Sequence, residues 1–171
     1  MPETTGYKGD KKDPGIEALT TIGVHVSYAI EVTKGERPTA KADYTELFGI
    51  TSTPNLNVSP NTGDATPLSE TSSVRKIALL KDYGDTLEFK MLSNDEYTDA
   101  WDEAAKAAQT GLAEGKNCWF AIEHPKKKKV QFFKATPLEI DFGEMAVNSV
   151  WETSGFVTPN GGSTKATWTT K

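Results

Sequence analysis

Histidine, cysteine and long apolar runs are what this chain has least of. Only His25 and His124 represent histidine. Nucleophilic catalysis by a Ser, His and Asp set needs a histidine within reach of the nucleophile, and neither lies near a G-x-S-x-G turn. His25 falls on the polar face of a strand pattern, where a hydrogen-bonded surface histidine is far commoner than a metal ligand, because a metal site needs several ligands. Cys118 is alone, which excludes an intrachain disulfide and a cysteine metal cluster; it reads as a small buried thiol in an apolar strand. No apolar run approaches the roughly 20 residues that span a bilayer. Residues 1–13 are polar with no apolar signal core, so nothing points to secretion. The phosphate-binding patterns G-x-x-x-x-G-K-[ST] and G-x-G-x-x-G after a strand are both missing. Lysine and arginine total 19 against 24 aspartates and glutamates, a net charge of −5. That balance argues against a dedicated nucleic-acid binder, which carries a basic footprint.

What is there reads as one mostly β domain over residues 1–171, with a single helix. Residues 85–92 alternate, with Leu87, Phe89 and Met91 on one side and Thr86, Glu88 and Lys90 on the other. A helix over about 94–112 follows. Ser93 and Glu96 have capping-box spacing, and Asp95, Glu96 and Asp99 lie near the positive end of the dipole. Tyr97, Ala100, Trp101, Ala104, Ala105, Ala108 and Leu112 form its apolar stripe, so Tyr97, Trp101, Ala104 and Ala108 are expected to pack on the sheet. Gly111 or Gly115 is expected to end it. Residues 117–123 resume as an apolar strand.

Elsewhere, residues 21–32 alternate cleanly, with Ile22, Val24, Val26, Tyr28, Ile30 and Val32 on one face and His25 and Glu31 on the other. Residues 44–50 form a shorter strand with Gly49 as an expected bulge, and residues 51–58 run extended through Pro54. Residues 59–73 read as a long irregular loop, a length that is often functional or partner-binding. Residues 74–80 are apolar enough to be a strand or to pack on one. His124-Pro125 and Lys126 to Lys129 read as a solvated hairpin tip whose lysines discourage stray strand pairing. Residues 130–136 return, with adjacent Phe132 and Phe133 implying two covered faces or a bulge. Leu138, Ile140 and Phe142 alternate with Glu139 and Asp141, and residues 147–158 make the last strand. Residues 1–15 and 159–171 read as flexible arms. Glu139 and Asp141, two apart on one strand face, mimic a glycosidase pair, but acidic residues on a solvated strand face are much commoner. Trp101, Trp119, Trp151 and Trp168 raise the question of a sugar platform, against which Trp101 belongs to the helix stripe.

Taken in order, several stretches resemble one family, the major tail tube proteins of long-tailed (siphovirus-type) phages, as in phages of Gram-positive bacteria. They are Val26-Ser27-Tyr28-Ala29-Ile30-Glu31-Val32, the turn with Gly35, Arg37 and Pro38, then Tyr44 and Gly49-Ile50-Thr51. Pro54-Asn55-Leu56-Asn57, Ser59-Pro60-Asn61 and Thr66-Pro67-Leu68 follow. Phe142-Gly143-Glu144, Val147-Asn148-Ser149-Val150 and Thr153-Ser154-Gly155-Phe156 close the series. The resemblance covers about residues 22–162 and lies in order and spacing rather than in one motif.

It implies a β-sandwich or barrel-like fold with a flanking helix, assembled as stacked hexameric rings. In that family the rings form a tube around the tape measure protein, between tail tip and tail terminator proteins, and the tube later conducts DNA into the host. The implied location is the virion tail, assembled in the host cytoplasm, with no membrane partner, no cofactor and no enzymatic activity. On this reading Ser59, Pro60, Asn61, Asp64, Pro67 and Glu70 belong to a ring-stacking loop. Glu31, Glu88, Glu139, Asp141 and Glu152 are expected to face the lumen and repel phosphates from transiting DNA. The competing reading is a carbohydrate- or surface-binding β-sandwich adhesion module. An enzyme is disfavoured by the missing groups.

Overall fold

The computed structural model describes residues 22–169. The expected arm over residues 1–15 lies outside them. The described chain is mostly β, with one helix against a curled, nearly closed sheet. Its strands are β1 (His25–Ile30), β2 (Thr45–Leu47), β3 (Ile50–Ser52), β4 (Pro60–Asp64), β5 (Lys76–Lys81), β6 (Leu87–Leu92), β7 (Cys118–Glu123), β8 (Val130–Pro137) and β9 (Glu152–Ala166). The helix α1 spans Asp95–Ala113. Seven strands form one antiparallel sheet in the order β2-β1-β7-β8-β9-β6-β3, and β4 pairs only with β5.

That order explains the curl. β2 and β3 are the two edges of the sheet, yet only Phe48 and Gly49 separate them in the chain. Two residues span at most roughly 11 Å, so the edges must lie close together. Gly49, at φ 76°, makes the break between the strands rather than a bulge inside one. A side chain there would also collide with the Tyr97 ring, which fixes where α1 starts over the sheet.

The helix closes the inside of the curl. Trp101, Ala104, Ala105 and Ala108 are buried, as their spacing predicts, and Tyr97 is half-buried over Gly49. Trp101 packs with Phe89, Phe120 and Phe133, joined by Leu87, Met91 and Val157 from the sheet. Leu112, expected in the stripe, is exposed, and its neighbour Gly111 is the residue that packs against Ile30 of β1 instead. The cap is Asn94 rather than Ser93: its side-chain oxygen accepts from the Glu96 amide at 2.8 Å. At the other end Gly115, at φ 74°, lets the Lys116 amide reach the Gly111 carbonyl and its own amide reach Leu112, a Schellman closure. Asn94→Ala is therefore expected to cost about 1 kcal/mol in urea unfolding, while Ser93→Ala stays within roughly 0.5 kcal/mol.

The opposite face of β7 and β8 holds a second cluster. Phe132, Trp119, Ala121 and Val130 lie there under Tyr44 and Trp168, with the Arg37 guanidinium 4.0 Å from the centre of the Phe132 ring. Phe133 points to the first cluster, so both faces of β8 are covered; a register shift after Phe133 adds a bulge in β9.

Four other expectations are corrected. Strand β1 is shorter than residues 21–32, and Ile22 and Val32 are exposed rather than part of its buried face. Residues 59–73 are not an irregular loop: they contain β4 and the turn that leads into β5. Residues 138–142 alternate but form no strand. Their backbone serves the helix instead, the Leu138 carbonyl accepting from the Trp101 indole at 2.8 Å and the Ile140 amide donating to Asp102 at 2.9 Å. Residues 159–169 are not a tail, since β9 continues along β8 to pair Ala166 with Val130, and Thr169 bridges to Ala40; residues 170–171 lie outside the described residues.

Candidate assembly surfaces

Glu31 is not a surface residue, let alone a lumen-facing one. It is 3% exposed. Its carboxylate accepts from the backbone amides of Gly35 and Asn117, the Asn117 side chain and the Trp119 indole at 2.9–3.3 Å. Burial alone would raise its pKa, but these donors together hold it below the ordinary glutamate value. Alternation correctly placed Glu31 opposite Val26 and Ile30. What it missed is that this second face, exposed at His25, is covered from Ala29 onward and so takes in Glu31 just past the end of β1. Glu31 is thus the clasp between the turn after β1 and the start of β7.

The other four expected carboxylates, Glu88, Glu139, Asp141 and Glu152, are exposed, and the structure gathers them at one place. Glu139, Asp141, Glu144 and Glu152 line an open cleft of about 440 Å³ at the start of β9, together with Lys90, Phe142 and Thr153. Glu88 sits on the outer face of β6 beside it and accepts from the Ser154 hydroxyl. Among the described residues no group of three or more His, Cys, Asp or Glu side chains is arranged to hold a metal ion. Thr153, in the wall of the cleft, is 4% exposed, and its covered hydroxyl has no hydrogen bond among the described residues; nor has the covered indole N–H of Trp151, which lines the adjoining cleft with Thr153. Sequence reasoning missed both, since nothing in a Thr or Trp signals an unmet hydrogen bond. Around the cleft, Phe142, Met145, Val147 and Val150 are exposed, Val147 at 92%.

The far end of β9 is basic. Val130 pairs with Ala166 there, next to the turn carrying Lys126 to Lys129. Lys127, Lys128, Lys129 and Lys165 rim a second cleft, with Val24 and Ile122 in its floor. His25, on the neighbouring strand, bonds Glu46, consistent with its reading as a surface histidine.

The third surface is the β4–β5 hairpin. Its expected members are placed as follows: Pro60, Asn61 and Asp64 lie in β4, Ser59 precedes it, and Pro67 and Glu70 lie in the turn. That turn is internally built. Glu70 accepts from the Thr71 and Ser72 amides, the Ser72 hydroxyl and the Arg75 guanidinium, at 2.6–3.1 Å. The Ser72 hydroxyl and amide, with Arg75, hold the Glu70 pKa down. Asp64 caps Thr66 in the same way. Every residue of β5 is exposed, including Ile77, Leu79 and Leu80, with Leu80 at 87%. The apolar run 74–80 was legible, but not that the other described residues leave it uncovered.

No protein-family model matches this chain, and no curated protein matches it. The surfaces themselves therefore carry the functional reading. A sugar platform needs shared exposed aromatic faces, whereas Trp101 and Trp119 are buried in separate clusters. Among the described residues no helix is long and apolar enough to cross a membrane.

Proposed function

We propose that this chain is a structural subunit that assembles with copies of itself into a tube, the role its resemblance to phage tail tube proteins implies. Stacked hexameric rings would enclose the tape measure protein, meet tail tip and terminator proteins at the two ends, and later pass DNA without binding it specifically. The virion tail is then the site of action, after assembly in the host cytoplasm. The single observation that carries this reading is the β4–β5 hairpin. It is a well-made two-stranded sheet whose apolar side chains have no cover among the described residues. An isolated hairpin is marginal in water, and exposed apolar patches mark contact surfaces. A second copy supplies the cover, and a hairpin reaching from one subunit to the next suits the stacking role expected of residues 59–73.

Glu31 is internal and drops out of the lumen lining, while Glu88, Glu139, Asp141 and Glu152 are exposed and lie near one end of β9. Replacing residues 66–74 by a two-glycine turn tests the hairpin. The shortened protein is expected to keep its thermal midpoint within a few degrees, because the hairpin lies outside both core clusters, and to lose concentration-dependent assembly in sedimentation velocity. Unchanged assembly would remove the hairpin from the interface.

A further inference from the structure

We propose that the acidic cleft at the start of β9 is a docking site for the lysine turn at the far end of β9 in a second copy. The inference rests on the self-assembly reading and names one contact within it. Two observations meet here. First, the chemistry is complementary: Glu139, Asp141, Glu144 and Glu152 surround one cleft, and Lys127, Lys128, Lys129 and Lys165 surround the other. A lysine ammonium brings three donors and no acceptor, so it can bond several of these exposed carboxylates at once. Second, the apolar parts match. Phe142, 85% exposed, and Phe156, 44% exposed, line the acidic cleft, and Val24 and Ile122 line the basic one.

The pairing cannot be made within one copy. Glu152 opens β9 opposite Leu92, and Ala166 closes it opposite Val130. At about 3.3 Å per residue these points are about 45 Å apart along the strand. Phe142 meets Trp151 edge to face and Gly143 lies against Glu152, so the acidic segment stays at its own end. A contact between unlike ends of identical copies is heterologous, and it repeats from copy to copy. Opposed charge would set its orientation and make the association salt-dependent, while like charges brought face to face would oppose it.

The test uses two full-length variants. E139K/D141K/E144K makes both ends basic; K127E/K128E/K129E makes both ends acidic. All six positions are exposed, and circular dichroism checks that each variant is folded. In sedimentation velocity at low salt, the wild type is expected to associate and to weaken at least tenfold by 1 M salt, where screening shortens to about 3 Å. Each variant alone is expected to stay monomeric, and an equimolar mixture to recover association. A control with the same charge change elsewhere, E36K/D85K/E103K, is expected to assemble as the wild type does. Variants that assemble normally would overturn this contact and leave the tube reading standing. A monomeric wild type whose variants also fail to associate when mixed would overturn both. Loss of assembly in the control as well would assign the effect to net charge and overturn the specific contact.

Discussion

Trp101→Ala is expected to lower stability by about 3–5 kcal/mol, the usual range for emptying a large aromatic site. Trp101 is fully buried, its ring meets Phe89 at 5.5 Å and Phe120 at 6.0 Å, and its indole anchors the Leu138 carbonyl. Its removal opens a cavity between helix and sheet and also frees residues 138–142. The complementary change is Gly155→Val. A Cβ at Gly155 would lie 2.6 Å from the Trp101 ring, which cannot retreat because its nitrogen is held. Overpacking of this kind costs about 1–3 kcal/mol or more. Urea unfolding followed by tryptophan fluorescence and circular dichroism measures both. A loss under about 1 kcal/mol for Trp101→Ala would mean that the helix is not the closing element of this fold.

Glu31→Ala is expected to cost about 3 kcal/mol, because it strands several buried donors and each costs roughly 1–3 kcal/mol when left unpaired. The Gly35 and Asn117 amides and the Trp119 indole lose their acceptor at once. The pH dependence follows from the depressed pKa. The folded state holds the carboxylate charged more tightly than the unfolded chain, whose glutamate titrates near 4.3. The stabilisation is complete above that value and is lost as pH falls through the folded pKa. Unfolding free energies of wild type and Glu31→Gln should therefore converge as pH drops from 5 toward 3. Parallel profiles over that window would show that Glu31 does not titrate as the clasp.

The parts of the fold legible in the sequence are those where one local pattern decides the structure. The alternation of Leu87, Phe89 and Met91 and the three-and-four spacing of Trp101, Ala104 and Ala108 gave β6 and α1 almost to their ends. The misread parts are those where a distant group decides. Residues 138–142 alternate like a strand, but Trp101 and Asp102 claim their backbone. Residues 159–166 have the glycine and threonine content of a tail, but the open edge of β8 pairs with them. Asn94 displaced Ser93 as the cap because both can accept, and geometry chose between adjacent residues. The assembly surfaces were legible only in part. The lysine turn was correctly read as exposed, whereas the apolar run in β5 has the composition of a core strand, and only the fold shows that nothing among the described residues covers it. Glu139, Asp141 and Glu152 were selected as exposed acids, but not as neighbours of a buried hydroxyl without a partner.

Self-assembly is the central claim, and electron microscopy tests it most directly. Purified full-length protein, concentrated and incubated for days at low salt, should form rings or hollow tubes of uniform diameter in negative stain. A reconstruction of those tubes should place the β4–β5 hairpin against a neighbouring copy. Dispersed single subunits at every concentration, with the hairpin still exposed, would contradict the account.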